Sequence, residues 1–494
     1  MIILDTALEK REAEGRPIRV GMLGAGFMAR GIANQVLYSA RGIRLAAIYN
    51  RTVQRAIDCY KYADDGIDPA FVNTDAALEE AIGRGRPAVT DDPLLLARSP
   101  HIDVVIDVTG AVEFGAHVVL EAFRHGTHVI LMNAELDATL GPILQVYARQ
   151  HGVVLSACDG DQPAVEINLY RFVRGLGLTP RVMGNIKGLQ DPYRTPATQK
   201  AFAEKWGQKP SMVTSFADGS KVSFEQAVVA NATGMTVARR GMLAYDHREH
   251  VDTLTARYDL EMLRELGGIV EYVVGAQPGP GIFCLAEHTD PKQRHYLNLY
   301  KLGEGPLYSF YTPYHLCHFE VPNTIARVVL FGDSAGSAIG RPLVGVCAVA
   351  KRDLKAGDTL DDYGHYMTYG EAVSAAEMRS RRYLPEGLAE GCTVTRDLAK
   401  DAVITFDDVR LPENRLADRL YREQCERFEG LPGDAGRRGV SEVSAVTPKA
   451  PAATTSTPVS SRPLPTTLSS GGATASARTP IRALGTIAHT GGRP

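Results

Sequence analysis

Two lysines in the middle of the chain are each followed four residues later by a carboxylate: Lys187 by Asp191, and Lys221 by Glu225. An ammonium group can protonate a carbonyl oxygen as a hydride reaches its carbon, and it steadies the alkoxide that forms. A carboxylate beside it tunes that transfer. These four residues are the catalytic candidates. Around the first pair, KGLQDPYRTPATQK adds Arg194, Thr195, Thr198, Gln199 and Lys200, with Pro192 and Pro196 stiffening the loop. Arg194 with Thr195 suits a carboxylate or phosphate on a small substrate. Asn231, and His315 and His318 in YSFYTPYHLCHFE, complete the substrate-binding candidates. On a helix, His315, His318 and Glu320 could also turn toward a metal, but their spacing matches no established zinc signature. The metal assignment stays open.

A hydride donor is signalled near the N-terminus. Ile18 to Met28 reads IRVGMLGAGFM, an apolar run ending in Gly24-Ala25-Gly26 before a helix-like segment from Phe27 to about Ser39. Gly24 permits a tight turn, and Gly26 lets bare backbone approach a pyrophosphate. Ala29 lets the helix pack close, and N–H groups at Phe27 and Met28 face the anion. A second apolar run, Ile43–Tyr49, ends in Asn50-Arg51. The NAD-selective pattern places an acid near here to bond the ribose 2′-hydroxyl. Neutral Asn50 and cationic Arg51 instead favour the 2′-phosphate of NADP.

The elements that must position these groups follow from the pattern. Buried-type runs at Val104–Val108, His128–Met132 and Val153–Ala157 alternate with helical segments, one of them Ile143–Gln150, and predict a doubly wound parallel sheet of the Rossmann kind. Ligands of such sheets lie beyond the carboxyl ends of the strands, which puts Thr109, Gly110, Asn133 and Glu135 on the rim with Gly24. Residues 5–15 read as an exposed lead-in helix. From Asp159 a helix leaves the rim, and Arg181–Ile186 is a strand delivering Lys187. Gly281–Glu287 and His295–Lys301 read as antiparallel strands of an α+β substrate domain. Then CAVAKRDLKAGDTLDDY (347–363) and CTVTRDLAKDAVITFDDVRLPE (392–413) repeat, their Arg-Asp-Leu triplets 44 residues apart, which predicts a small pseudo-symmetric β module. Beyond residue 430, Pro, Thr, Ser, Ala and Gly dominate and no aromatic occurs, so disorder is expected. The expected domains are 1–160 for the dinucleotide, 161–340 for the substrate, 341–429 for the β module and 430–494 for the tail.

Composition narrows the function classes. The 494 residues are 44% hydrophobic with a formal net charge of -3, so nothing points to nucleic acid or an anionic membrane as partner. Seven scattered cysteines with no C-x-x-C suggest neither a disulfide framework nor a thiolate zinc site. No run approaches the ~18 apolar residues of a membrane helix, and the charged N-terminus does not read as a signal peptide. A reduced, cytoplasmic protein is expected, acting on a small molecule, with a homo-oligomer left open.

The segments LGAGFMARGIANQ, GDQPAVEINL, KGLQDPYRTPATQ, DGSKVSFEQAVVANATGM and YTPYHLCHFEVPNTIARVVLFGD resemble the predicted homoserine dehydrogenases with a C-terminal SAF domain. One branch of that family is the 1-deoxy-D-xylulose 5-phosphate reductoisomerase-like enzymes of isoprenoid biosynthesis. The repeat is similar to the SAF β-clip. The resemblance implies an NADP-dependent oxidoreductase, acting on a phosphorylated or carboxylated hydroxy-carbonyl compound, with a divalent ion as an option. The alternatives are an amino-acid semialdehyde reaction of the homoserine type and a non-catalytic NADP sensor. In one place the chain departs from true homoserine dehydrogenases. Their Asn-Lys pair, whose lysine contributes to the reaction, corresponds here to Met132-Asn133-Ala134-Glu135, so a catalytic lysine must come from the second domain.

Overall fold

The structure is a computed structural model, and it describes residues 3–428. The first sheet contains β1 (Ile18–Leu23), β2 (Ile43–Tyr49), β3 (Ala70–Phe71), β4 (Ala88–Thr90), β5 (Val104–Asp107), β6 (His128–Leu131) and β7 (Leu155–Ala157), in the order β3-β4-β2-β1-β5-β6-β7. All its pairings are parallel. The chain winds outward from β1 in one direction, returns, and winds outward in the other, which is the doubly wound arrangement. Both faces are covered, so both sets of alternating side chains are apolar. Leu23, Val105 and Leu131 enter one core, and Met22, Ile106 and Ile130 enter the other.

The second sheet is mixed. It contains β8 (Thr179–Lys187), β9 (Tyr245–Asp246), β10 (Ile269–Val274), β11 (Gly281–Glu287) and β12 (Leu307–Thr312), in the order β12-β11-β8-β10-β9. Central β8 runs parallel to β10 and antiparallel to β11. Its alternation decides where Lys187 emerges. Val182 and Ile186 face a core with Leu254 and Leu263, whereas Met183 faces Phe224 and Ala227 of the helix Ser220–Thr233. Lys187 shares the parity of Met183 and comes out on the helix-covered face.

The repeat folds with an approximate two-fold. β13 (Val344–Ala350) pairs antiparallel with β14 (Thr368–Ser374), and short β15 (Thr393–Val394) with β16 (Val409–Arg410). Leu354 and Leu398, equivalent leucines of the two copies, exchange both backbone hydrogen bonds at 2.9 Å. Asp353 Oδ1 accepts from Lys400 N at 2.9 Å, and its counterpart Asp397 Oδ1 accepts from Ala356 N at 3.0 Å. The symmetry lasts through Leu360 and Ile404, whose amides bond Cys392 O and Ala348 O. Beyond them the copies diverge: the aspartate pairs 361–362 and 407–408 are two residues out of step. The module shares a core with the first sheet's helices, where Leu136 and Leu140 belong with Leu354 and Leu384.

Several expectations are corrected. His295–Lys301 is not a strand: Pro291–Leu299 is a helix whose N-cap Asp290 accepts from Lys292 N at 2.7 Å. The strand beside β11 is β12 instead. The helix expected from Ile143 begins at Ala134, with Asn133 as its cap, and passes through Pro142. The lead-in helix Ile3–Ala13 is exposed on one side only, because Leu4 and Leu8 are buried against the first sheet's core. The tail expected over 430–494 lies outside the described residues. Among the described residues no helix is long and apolar enough to cross a membrane.

Candidate active site

The dinucleotide end is built where β1 gives way to the helix Phe27–Tyr38. Gly24 has φ +109°, outside the range a side chain tolerates, and a Cβ there would lie 3.2 Å from Val108 Cγ2. A Cβ on Gly26 would meet nothing within 4 Å, so open space faces that residue. Gly26 caps the helix without a side-chain bond, leaving the first-turn N–H groups at Phe27 and Met28 for a ligand. Phe27 is exposed and Met28 half-buried. A bare turn, open space and free N–H groups fit a pyrophosphate. Asn50 donates to Thr52 O at 2.8 Å, and Arg51 is exposed at the end of β2.

Thr109 and Asn133 have a different use. Asp107, at the end of β5, accepts from Thr109 Oγ1 at 2.6 Å and from Asn133 Nδ2 at 2.8 Å. Asn133 also caps its helix by accepting from Leu136 N, and it is fully buried. These two side chains brace the rim through Asp107. Gly110 stays at the rim, with its carbonyl bonded by Tyr363.

The charged centre lies beyond β6 and β7. Lys221 reaches Glu135 with Nζ–Oε1 2.9 Å, and both are buried. Lys187 Nζ donates to Gln162 Oε1 at 3.1 Å and lies 3.6 Å from Glu225 Oε2. Neither lysine therefore takes as its nearest acid the one that spacing assigns. Lys221 bonds Glu135, with Glu225 a further neighbour, and Lys187 turns from Asp191 to Glu225. Burial, with Asp161 and Glu135 nearby, pushes the Glu225 carboxyl up to about 7 against the pull of Lys187 and Lys221. Burial works against the Lys221 ammonium, but the surrounding carboxylates of Glu135, Asp161 and Glu225 outweigh it and raise its pKa.

A neutral relay extends this centre. Gln162 Nε2 lies 3.2 Å from His315 Nε2, and His315 Nδ1 lies 3.2 Å from Gly160 O. The carbonyl requires a proton on Nδ1, so Nε2 accepts from Gln162. Burial and the Lys187 charge lower the His315 pKa, partly opposed by Asp161. Gly160 makes the approach feasible: it has φ +87°, and a Cβ would lie 2.1 Å from Cys317 O. His318 instead packs over Gly31 on the fingerprint helix, where an added Cβ would be 2.7 Å from its ring. Glu320 accepts from Leu316 N at 3.0 Å as a local cap. His315, His318 and Glu320 thus diverge, and among the described residues no group of three or more His, Cys, Asp or Glu is placed to hold a metal.

The polar loop after Lys187 is largely committed to its own shape. Asp191 Oδ2 bonds Arg194 Nε at 3.0 Å, with both side chains about one-third exposed. Thr195 caps the helix Pro196–Trp206 in a reciprocal box with Thr198, so its hydroxyl also serves the helix end. Lys200 pairs with Glu204 on the surface. Tyr193 Oη bonds Asp401, and Lys351 Nζ donates to Arg194 O at 3.0 Å, fastening the loop to the β module. Asn231 is likewise withdrawn: its Oδ1 accepts from Leu343 N at 2.8 Å and Val344 N at 3.2 Å, and its Nδ2 donates to Val344 O at 3.1 Å. Sequence reasoning missed Asp161 and Gln162 as members of the centre, and it placed Glu135 on the rim without naming Lys221 as its partner.

Comparison with known proteins matches two segments of the chain. Residues 24–156 match the family model for the NAD-binding domain of homoserine dehydrogenase, and residues 160–321 match that for the catalytic domain of oxidoreductase DRL. The glycine turn falls in the first match, and Lys187, Lys221, Glu225 and His315 fall in the second. Homoserine dehydrogenase of Pseudomonas aeruginosa is 27% identical over 141 residues, covering 28% of this chain and 29% of that protein. The Synechocystis enzyme is 28% identical over 155 residues, covering 30% and 31%. The chain thus matches less than a third of the length of these relatives. Among solved structures, scyllo-inositol dehydrogenase from Lactobacillus casei aligns at TM-score 0.30 and 12% identity, covering 55% of this chain and 66% of that one. An NAD-binding oxidoreductase from Klebsiella pneumoniae aligns at 0.24 and 16%, covering 36% and 44%.

Proposed function

We propose that this chain is an NADP-dependent oxidoreductase that reduces a small phosphorylated or carboxylated hydroxy-carbonyl compound, with 1-deoxy-D-xylulose 5-phosphate the first candidate. The observation that carries the reading is the paired centre of Lys221–Glu135 and Lys187–Glu225, set beyond the strand ends that also carry the glycine turn. The dinucleotide, when bound, supplies a hydride to the carbonyl carbon. The oxygen that gains the electron pair needs a proton, and an ammonium of Lys221 or Lys187 gives it. Glu225, with a pKa of about 7, is suited to return a proton to the lysine near neutrality. Gln162 and His315 keep Lys187 oriented. Arg194, partly exposed and shared with Asp191, is the group for the acidic end of the substrate. Arg51 is the group for the 2′-phosphate. In this division of labour residues 1–160 hold the dinucleotide, 161–340 the substrate, and 341–429 close the rim.

The test is a binding and turnover screen on the full chain. NADPH and NADH are titrated by fluorescence. Oxidation of NADPH is then followed with 1-deoxy-D-xylulose 5-phosphate, aspartate semialdehyde and related aldehydes, with and without a divalent ion. NADPH binding tighter than NADH, with turnover of the phosphosugar, is expected. Binding without turnover of any carbonyl would replace the reading with a sensor. Turnover of aspartate semialdehyde alone would replace it with homoserine-type chemistry.

A further inference from the structure

The two copies of the repeat make the same turn from different residues. Gly357 in the first copy and Asp401 in the second, 44 residues apart, both hold positive φ, +95° and +67°. Their amides donate to equivalent carbonyls, Gly357 N to Val394 O and Asp401 N to Ala350 O, each at 2.8 Å. Glycine takes that conformation freely, whereas aspartate holds it at a cost. The residue before also differs, Ala356 in the first copy and Lys400 in the second. The second turn's side chains meet the polar loop that follows Lys187. Tyr193 Oη donates to the Asp401 carboxylate, 3.0 Å from both oxygens, and Lys400 Nζ stands 3.4 Å from the centre of the Tyr193 ring. Tyr369 of β14 donates to Asp401 Oδ1 at 3.3 Å and braces the carboxylate from within the module.

We propose that the Lys400–Asp401 turn is a clasp for the loop 188–195, through which the β module positions Arg194 at the substrate site. Arg194 follows Tyr193 directly, so a phenol pinned at its ring and at its hydroxyl fixes where the next residue starts. A cation over the ring and a charged acceptor on the hydroxyl hold it by two different forces. Tyr193 is 43% exposed, and without that grip its ring would swing in water. Two further anchors act on the same turn. Asp191 N donates to Ala217 O at 2.7 Å, and Lys351 Nζ, also of the module, donates to Arg194 O at 3.0 Å. The Arg194 guanidinium leans on Asp191 within that turn, so the loop backbone sets its place. Backbone strain persists where the surrounding contacts repay it, and the bond to Tyr193 is the reason the second copy keeps aspartate where the first has glycine. The inference rests on the reading of Arg194 as the group for the substrate's acidic end, and its first test stands apart from that reading.

The test uses the full chain and the double variant Lys400→Ala with Asp401→Gly, which gives the second turn the residue types of the first. Glycine accepts the turn's φ, so the backbone there keeps its shape. Amide hydrogen exchange is followed by mass spectrometry. Exchange about tenfold faster across 188–195, with β1 and β13 unchanged, is expected. Exchange in the loop as in the parent would overturn the proposal. So would a joint rise in all three segments, which would show general loosening. If the parent reduces a phosphorylated or carboxylated carbonyl compound in the screen, the double variant should raise KM about tenfold with kcat little altered. Added to Arg194→Ala, the same change should raise KM no further, because both act through one group. An unchanged KM, or a full further rise on top of Arg194→Ala, would overturn the proposal too. A parent that reduces no such compound contradicts the proposed reaction, and the exchange rates still decide the role of the clasp.

Discussion

At the scale of single residues, each candidate lysine pairs with an acid other than the one four residues along the chain. Glu135 sits in the first turn of its helix, and Lys221 comes from another element to neutralise it. Removing one member of a buried pair leaves an uncompensated charge, which typically costs about 3–5 kcal/mol, whereas removing both can be nearly neutral. Lys221→Met should therefore lower the midpoint of urea unfolding sharply. The double variant Lys221→Met with Glu135→Gln should recover most of that stability and none of the turnover. A double variant that regained activity would show the pair to be structural only. At the other end of the site, Arg51 has the simpler task of meeting a 2′-phosphate. Arg51→Ala should reduce the preference for NADPH over NADH by about tenfold in fluorescence titration, the value of roughly one charge-assisted hydrogen bond. An unchanged ratio would remove Arg51 from the cofactor site.

At the scale of elements, the helix Ala134–Gln150 buries three successive polar positions, Glu135, Asp137 and Thr139. Burial pushes the Asp137 carboxyl up to about 7. In the unfolded chain it ionises near pH 4. The folded state therefore holds a proton that the unfolded chain releases between about pH 4 and 7, and its stabilising contribution fades across that window as pH rises. Asp137→Asn should match the parent's melting temperature at pH 4 and exceed it progressively up to about pH 7. A constant difference would place the carboxylate in a solvated or paired setting. Lys351 makes a contrasting case: its three protons go to Asp218 Oδ2, Arg194 O and His365 O at 2.8, 3.0 and 2.9 Å. Lys351→Met should loosen the loop 188–195, read as faster amide exchange there than in β1. The elements themselves were legible where periodicity is strong. Strands β1, β2, β5 and β6 announce themselves as apolar runs, and the Arg-Asp-Leu repeat foretold a two-fold. The run His295–Lys301 misled because its alternation is short, and the decisive signal was the Asp290-Pro291 helix start. The polar loop misled for another reason. Sequence shows that Thr195 and Asn231 can bond an oxygen but does not show that a helix end and a strand edge already claim them.

At the scale of the whole molecule, the site is assembled from two distant stretches. The rim supplies Gly24 and Glu135, and the second sheet and its helices supply Lys187, Lys221 and Glu225. Distances of this kind, such as the 86 residues between Glu135 and Lys221, leave no trace in local spacing. For that reason the candidate lysines were legible in the sequence and their partners were not. The shared core of the β module and the first sheet makes the assembly cooperative, so a module-core substitution such as Leu384→Ala should weaken NADPH binding as well as stability. The central claim is hydride transfer at the Lys221–Glu135 and Lys187–Glu225 centre. It is tested most directly by incubating the full chain with NADPH deuterated at C4 and the carbonyl panel, then reading deuterium in the products by mass spectrometry. The account predicts deuterium in one reduced product with the parent chain, and its loss by about a hundredfold or more in Lys221→Ala or Lys187→Ala, each still binding NADPH. Bound NADPH with no deuterium in any product, or transfer undiminished in both variants, would contradict it.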